Sequence, residues 1–345
     1  MALEKRMMPT LRSLVTRGIR ACAHSRPAHN PTTRNHPQLT MNMMPNAKSR
    51  FVPLATAAVL YGILLPGLAP AATLVANWHS GVISSISTAG TVTTFASGLS
   101  APSGLALDAL GNLFEADEGS GNVFKFTPAG VKSTFASGLN QPYGLTVSFT
   151  GEVYVSTVGP GGAAIYKYSA DGLTRTTLAT GATVTSPHGM AVDRNGNLFV
   201  ANSSHVDKFT PGGVQSQFGT ASSGAQGLAF SPSGTLFLAD SQREIYSYNS
   251  LGTPTLFGLV PTALGGLAFD AAGTLYVSDR GSTFTDGALY KFDSAGNRTT
   301  FVASGLSDPQ LGVANALPTP EPSSLVLLGF GVGGLFLRRQ RGLLH

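Results

Sequence analysis

The residues with the chemistry of a site stand at one repeated position. Between residues 73 and 317, short hydrophobic stretches each start at a Gly. The residue before that Gly changes from one stretch to the next: Ser103, Tyr143, His188, Gln226 and Gly265, with Gln310 at the matching place before Leu311-Gly312. Side chains of these types, brought together, offer hydroxyl, phenol, imidazole and carboxamide groups that hydrogen-bond a polar ligand from several directions. Ser103, Tyr143, His188 and Gln226 are therefore candidate binding residues. His188 is the one acid–base group at this position. No Asp or Glu accompanies it, and the segment's other histidines, His79 and His205, occupy other places in the pattern. General acid–base chemistry needs a second partner, so no catalytic residue is assigned.

Metal chemistry finds little to use. The only cysteine, Cys22, lies in the N-terminal stretch, so residues 73–317 hold no disulfide, thiolate site or cysteine nucleophile. Asp108, Asp193 and Asp270 close hydrophobic stretches and are read as the starts of the Gly turns that follow. The loops 117–122 and 279–286 carry oxygen donors suited to Ca²⁺ or another divalent ion, but neither has EF-hand spacing. No cofactor or metal site is assigned. No phosphate-cradling Gly loop or Ser-His-Asp order is present.

The elements that must position the ring repeat about every forty residues. A first stretch reads Gly104-Leu105-Ala106-Leu107 and recurs at Gly144, Gly189, Gly227 and Gly266. A second reads GNLFEAD to Asp117, then GEVYVST to Thr157, GNLFVAN to Asn202, GTLFLAD to Asp240 and GTLYVSD to Asp279. A third is aromatic: VFKF at 123–126, IYKY at 165–168, VDKF at 206–209, IYSY at 245–248 and LYKF at 289–292. A turn at Gly130, Gly172, Gly213, Gly252 or Gly296 leads to a fourth, marked by Phe135, Leu178, Phe218, Phe257 and Phe301. Short Val-, Phe- and Tyr-rich strands parted by Gly turns form meanders, and four per forty-residue repeat make a propeller blade. Residues 74–95 supply a second, third and fourth strand without a first, and 311–314 supply a first strand alone. Together they make one shared blade, which pairs the sheet edge at each terminus. The predicted fold is all-β: a six-bladed propeller over 73–317, closed by N- and C-terminal strands. The final Asx of each second strand is read as structural turn chemistry.

This pattern resembles the NHL-repeat propellers and their lactonase and lyase relatives. The repeats lack the Arg that many NHL repeats carry before the third strand. Pro187-His188-Gly189 resembles a segment that carries a catalytic His in propeller lyases of the virginiamycin B lyase type. Those enzymes use a second His and a carboxylate on a divalent metal, which the ring does not supply.

The chain of 345 residues has a net charge of +5, but its charge sits at the ends. Residues 1–72 hold nine Lys/Arg against one acid, whereas 73–317 hold 10 against 15. A folded part near −5 lacks the basic footprint of a nucleic-acid binder. Residues 1–42 are a basic leader, and Met41, Met43 and Met44 are alternative starts. Residues 43–72 read as a secretory signal, with Lys48 and Arg50 before an apolar run and cleavage after Ala71.

Residues 318–345 open on Pro320-Glu321-Pro322. An apolar run at 323–337 follows, then Arg338, Arg339 and Arg341. This suits a short transmembrane helix with its Arg cluster on the cytoplasmic side. The three-part order resembles the PEP-CTERM sorting signal. That resemblance implies an exosortase, a membrane-embedded cysteine transpeptidase-like enzyme, as partner, with Pro320, Glu321 and Pro322 as its recognition residues. It also implies export through the inner membrane to the envelope or extracellular polysaccharide. The functional expectation is a non-catalytic module that binds a glycan or envelope protein. The alternative is a lyase or lactonase that uses the central channel.

Overall fold

A computed structural model describes residues 72–222 and 224–315. Its twenty-four strands, β1–β24 in chain order, form six four-stranded antiparallel sheets. Blades 1 to 5 each take four consecutive strands, the first innermost: β4 (Pro102–Leu107), β8 (Pro142–Val147), β12 (Pro187–Val192), β16 (Ala225–Phe230) and β20 (Leu264–Phe269). Blade 6 is built from both ends of the propeller. Its inner strand is β24 (Pro309–Asn315), which pairs antiparallel with β1 (Thr73–Asn77). Outward from β1 lie β2 (Val82–Ile86) and β3 (Val92–Ala96). The shared blade read from the sequence is thus the observed closure. Among the described residues no helix is long and apolar enough to cross a membrane. The basic leader, the secretory signal through Ala71 and the C-terminal helix, with residues 318–345, lie outside the described residues.

The second strands are β5 (Leu113–Asp117), β9 (Val153–Thr157), β13 (Leu198–Asn202), β17 (Leu236–Asp240) and β21 (Leu275–Asp279). They are buried along their whole length, as is β1. Each packs on a neighbouring blade through both faces, so these strands do not alternate apolar with polar residues. The core is accordingly a set of clusters between blades. Leu74, Ala76 and Ile83 of blade 6 meet Leu105, Leu113 and Phe126 of blade 1. Val75 and Ile86 meet Tyr276, Leu289, Val302 and Leu306 of blade 5.

The Gly at the third position of the inner strands is a packing requirement. A Cβ on Gly144 would collide with the His188 carbonyl oxygen, and one on Gly104 would come within 2.6 Å of the Tyr143 carbonyl oxygen. Inner strands in mutual contact therefore exclude a side chain there. The Asx residues do more than close their own turns. Asp117 accepts the Ser100 amide at 2.7 Å, and Asn202 Oδ1 accepts those of Thr185 and Ser186 at 3.1 and 3.0 Å. Asp279 accepts the Thr262 and Ala263 amides, and Asn77 Oδ1 accepts that of Ser307. In these blades the end of the second strand holds the segment that leads from the previous blade into its own inner strand. Asp240 holds the corresponding segment through a side chain, accepting the Ser222 hydroxyl at Oδ2, and also accepts the Gln242 and Glu244 amides of its own turn.

The propeller presents two faces. The inner strands begin on one, here called the ring face. They end on the other, the turn face, which carries both sets of Gly turns: a Cβ on Gly111, after β4, would lie 3.5 Å from Pro128 in the turn between the third and fourth strands of blade 1.

Candidate functional site

The six ring positions are each the second residue of an inner strand, so β-geometry brings them to one face. They are not equivalent in surroundings. Tyr143 of β8 reaches across β4 and donates its hydroxyl to Gln310 Oε1 of β24, at 3.2 Å. Ser103, on the strand between, is completely buried, and its Oγ has no hydrogen-bond partner. Gln310 is buried and donates to Asp308, which pairs with Arg280 at 2.7 Å. Burial pushes the Tyr143 phenol up to about 12; Arg280 opposes this, and Glu118 and Asp308 add to it. The Tyr143 hydroxyl is therefore a donor throughout the physiological range.

His188 stands next in the ring, half-buried, with its edge on the Tyr143 ring at 5.1 Å between centroids. Its Nδ1–H donates to the Ala225 carbonyl at 3.2 Å. Burial lowers its pKa below 6.5, against the smaller opposite effect of that hydrogen bond. The ring is neutral at pH 7, with Nε2 as an acceptor. Its backbone is held as well: the Ser156 hydroxyl accepts the Gly144 amide at 2.9 Å and donates to the His188 carbonyl at 3.0 Å. Ser278 makes the corresponding link from the Gly266 amide to the Gln310 carbonyl. Gln226, half-buried, follows His188 on β16.

A second tier of residues surrounds this ring. Trp78 donates its indole N–H to Glu118 at 2.8 Å, and the Trp78 amide donates to the Asp308 carbonyl. Exposed His79 stacks on Phe284 with centroids 4.5 Å apart. Reading the sequence for the ring alone passed over Trp78, Glu118 and Arg280. Their signal was available, because each directly follows the last residue of a second strand, a position that also varies from blade to blade. Ser156 and Ser278 had one too: they replace the Ala found in the other four blades at the penultimate position of that strand.

The candidate cation donors are otherwise engaged. Asp108 Oδ1 and Asp193 Oδ1 each accept two amides of their own turns. Asp117 also accepts the Ser120 amide, and Asp286 accepts the Ser282 and Thr283 amides. Among the described residues no group of three or more His, Cys, Asp or Glu is placed to hold a metal ion. A cavity of about 350 Å³ follows the inner strands of blades 1 to 5, from Gly104, Gly144 and Gly189 to the turn residues Ala109, Ser148 and Phe149. It belongs to the turn-face end of the channel, and Ser103, Tyr143, His188 and Gln226 do not line it.

His188→Ala should leave the propeller folded. Loss of the Ala225 hydrogen bond costs about 1 kcal/mol, and loss of the Tyr143 edge contact about 0.5–1.5 kcal/mol. A thermal melt should show one cooperative transition a few degrees lower; an unfolded variant at 25 °C would make the ring a folding element.

Comparison with known proteins agrees with this architecture. A model of the PEP-CTERM protein-sorting motif matches residues 318–341, and a beta-propeller repeat model matches residues 175–210. No curated protein matches the chain. The solved structures that share the fold include the following three. A chain in the crystal structure of a nidogen/laminin complex aligns with a TM-score of 0.61 at 16% identity, covering 72% of this chain and 98% of that one. A streptogramin B lyase aligns at 0.56 and 14%, covering 71% and 87%. A gluconolactonase from Xanthomonas campestris aligns at 0.53 and 16%, covering 60% and 83%. At such identities the likeness is one of fold, which hosts unrelated activities. The chain is a six-bladed β-propeller with a C-terminal PEP-CTERM sorting motif, and that motif implies export, processing by an exosortase and sorting to the cell surface.

Proposed function

We propose that this exosortase-sorted propeller is a non-catalytic module that binds a glycan of the envelope or extracellular polysaccharide through its ring face. The observation that carries this reading is the mixture of groups on that face. Tyr143 and Trp78 offer aromatic surfaces suited to the apolar C–H face of a sugar ring. Gln226, neutral His188, Glu118 and Arg280 offer donors and acceptors suited to its hydroxyls. No second imidazole or carboxylate stands at the ring positions beside His188, which supports binding over catalysis. In affinity electrophoresis through gels containing the host's extracellular polysaccharide, the wild-type chain should be retarded and Tyr143→Ala should migrate freely. Equal mobility of the two would remove the ring from the reading. If the wild type instead shows metal-dependent turnover of a lactone or glycan, and His188→Ala lowers it by orders of magnitude, the alternative lyase or lactonase function is correct.

Sorting is assigned to the tail. The apolar run 323–337 spans roughly 22 Å as a helix, shorter than the roughly 30 Å hydrocarbon core. Arg338, Arg339 and Arg341 resist translocation. This suits a transient stop that presents Pro320-Glu321-Pro322 at the outer face of the inner membrane. The export signal is removed after Ala71, and no nucleic acid is a partner. In a host with an exosortase, mass spectrometry of the exported protein should find the C-terminal segment absent, and Glu321→Ala should accumulate unprocessed in the inner membrane. An exported chain still ending at His345 would reduce the tail to a plain anchor.

A further inference from the structure

The turn face carries an unusual share of the exposed apolar surface. Ten large hydrophobic side chains are exposed among the described residues, and six stand in Gly turns on this one face. Leu110 and Phe149 follow inner strands, at 80% and 73% exposure. Val131, Leu173, Val214 and Leu251 sit between the third and fourth strands of blades 1 to 4, at 64% to 86%. Single exposed hydrophobics need no explanation, but turns favour polar residues and these six share a face. Asp108, Asp171, Asp193 and Asp293 on this face each accept amides of their own turns.

The path of the chain says what this face meets. Strand β24 runs from the ring face, where Pro309 pairs with Asn77, to the turn face, where Asn315 pairs with Thr73. It is the innermost strand of its blade, so the chain leaves the propeller beside the channel on the turn face. The sorting motif begins at residue 318. Eight residue steps separate Asn315 from Ser323, where the apolar run starts, and a fully extended chain covers at most about 29 Å in that distance. A propeller on so short a tether, leaving from the middle of one face, has that face toward the bilayer.

We propose that the turn face docks on the outer surface of the bilayer that holds the C-terminal segment. Leu110, Phe149, Leu173 and Leu251 enter the headgroup boundary, and the ring face is directed away from the membrane. The contact holds the propeller while the tail awaits processing and ends when the tail is cut. The inference rests on the sorting-tail reading, and the experiment separates the two.

The chain from Ala72 to His345, which has no cysteine of its own, receives one fluorescent label at Leu110→Cys or Leu173→Cys on the turn face, or at Thr285→Cys on the ring face. It is added to vesicles of phosphatidylethanolamine and phosphatidylglycerol containing spin-labelled lipid. The expected result is vesicle binding, with the turn-face labels quenched several-fold more than the Thr285 label. Labels at an interfacial surface lie about 5–10 Å deep, within reach of such quenchers. Binding with equal quenching at both faces would overturn the docking face and leave the tail anchored. Turn-face labels shielded from both the lipid quencher and aqueous iodide would assign the face to a second copy of the chain and equally overturn the proposal. A chain that does not bind vesicles at all overturns both the anchor and the docking face.

Discussion

Deleting residues 73–96 is expected to abolish cooperative folding of the whole propeller, not to remove one blade cleanly. The deletion takes away β1, β2 and β3 and leaves β24 with no strand to pair with. Leu74, Val75, Ile83 and Ile86, all buried, go with them, and the faces of blades 1 and 5 that they cover become exposed. At about 1.5–3 kcal/mol for each buried aliphatic side chain, the loss is about 6–12 kcal/mol. That is comparable to the whole stability of an ordinary domain, about 5–15 kcal/mol. The exposed edge of β24 adds an invitation to strand-to-strand aggregation. No disulfide can substitute, since the only cysteine is Cys22. Calorimetry and light scattering on the deleted chain should show aggregation or no cooperative transition. Ile86→Ala, which removes one side chain from the same seam, should cost about 2–5 kcal/mol and keep the transition. A soluble deleted chain that melts cooperatively would mean that blades 1 to 5 close without the shared blade.

The closure was legible because it depends on order along the chain: three strand signatures at one end and the missing first signature at the other. The strand positions were legible for the same reason. VFKF, IYKY and their counterparts sit in third strands, and Phe135, Phe218 and Phe257 in fourth strands, where they meet Phe114, Phe199 and Phe237 edge to face at 5.0, 4.9 and 5.0 Å. A repeat also predicts which residues share a face, so the ring of Ser103, Tyr143, His188 and Gln226 could be named. It does not predict how far each side chain reaches. Tyr143 spans an entire neighbouring strand to meet Gln310, and Ser103 on that strand is completely buried. The ion pair of Arg280 with Asp308 joins two blades through residues 28 positions apart, and no local pattern records it. The Asx residues were read as turn formers from their spacing, whereas most of them act on the preceding connection, a partner visible only once the blades are assembled.

Glu115 is the residue at which the repeat pattern fails to anticipate the packing, and replacing it is expected to stabilise the protein. It is the central residue of β5. The same place in the other second strands holds Val75, Val155, Val200, Leu238 and Val277, all completely buried. Glu115 is equally buried, and neither carboxyl oxygen has a hydrogen-bond partner. Burial raises its pKa well above the ordinary 4.5; the nearby Asp117 charge adds to this and Lys132 opposes it. The strands of blade 6 that face blade 1 carry no charged side chain. A neutral but unpaired polar group in such a place costs about 1–3 kcal/mol, and an apolar group of similar shape does not. Glu115→Val should therefore gain about 1–3 kcal/mol below pH 4.5, where the carboxyl is protonated in both states, and more at neutral pH, where only the unfolded chain ionises. For a domain of this size each kcal/mol raises Tm by about 2–4 °C.

The pH dependence gives a second readout. Above pH 4.5 the unfolded chain releases the Glu115 proton while the folded protein keeps it, up to the raised folded pKa. The folded form thus binds more protons, and stability falls as pH rises, by about tenfold in the folding equilibrium per pH unit from this one group. The wild type should lose Tm steadily from pH 5 toward the folded pKa, and Glu115→Val should remove that component of the slope. Glu115→Gln, which keeps the shape and an unpaired polar group but cannot ionise, should flatten the slope and recover the part lost as pH rises, while gaining little at low pH. Parallel pH profiles for the wild type and both variants would show that the carboxyl is solvated or paired in the folded protein, and would remove Glu115 as a source of strain at the seam between blades 6 and 1.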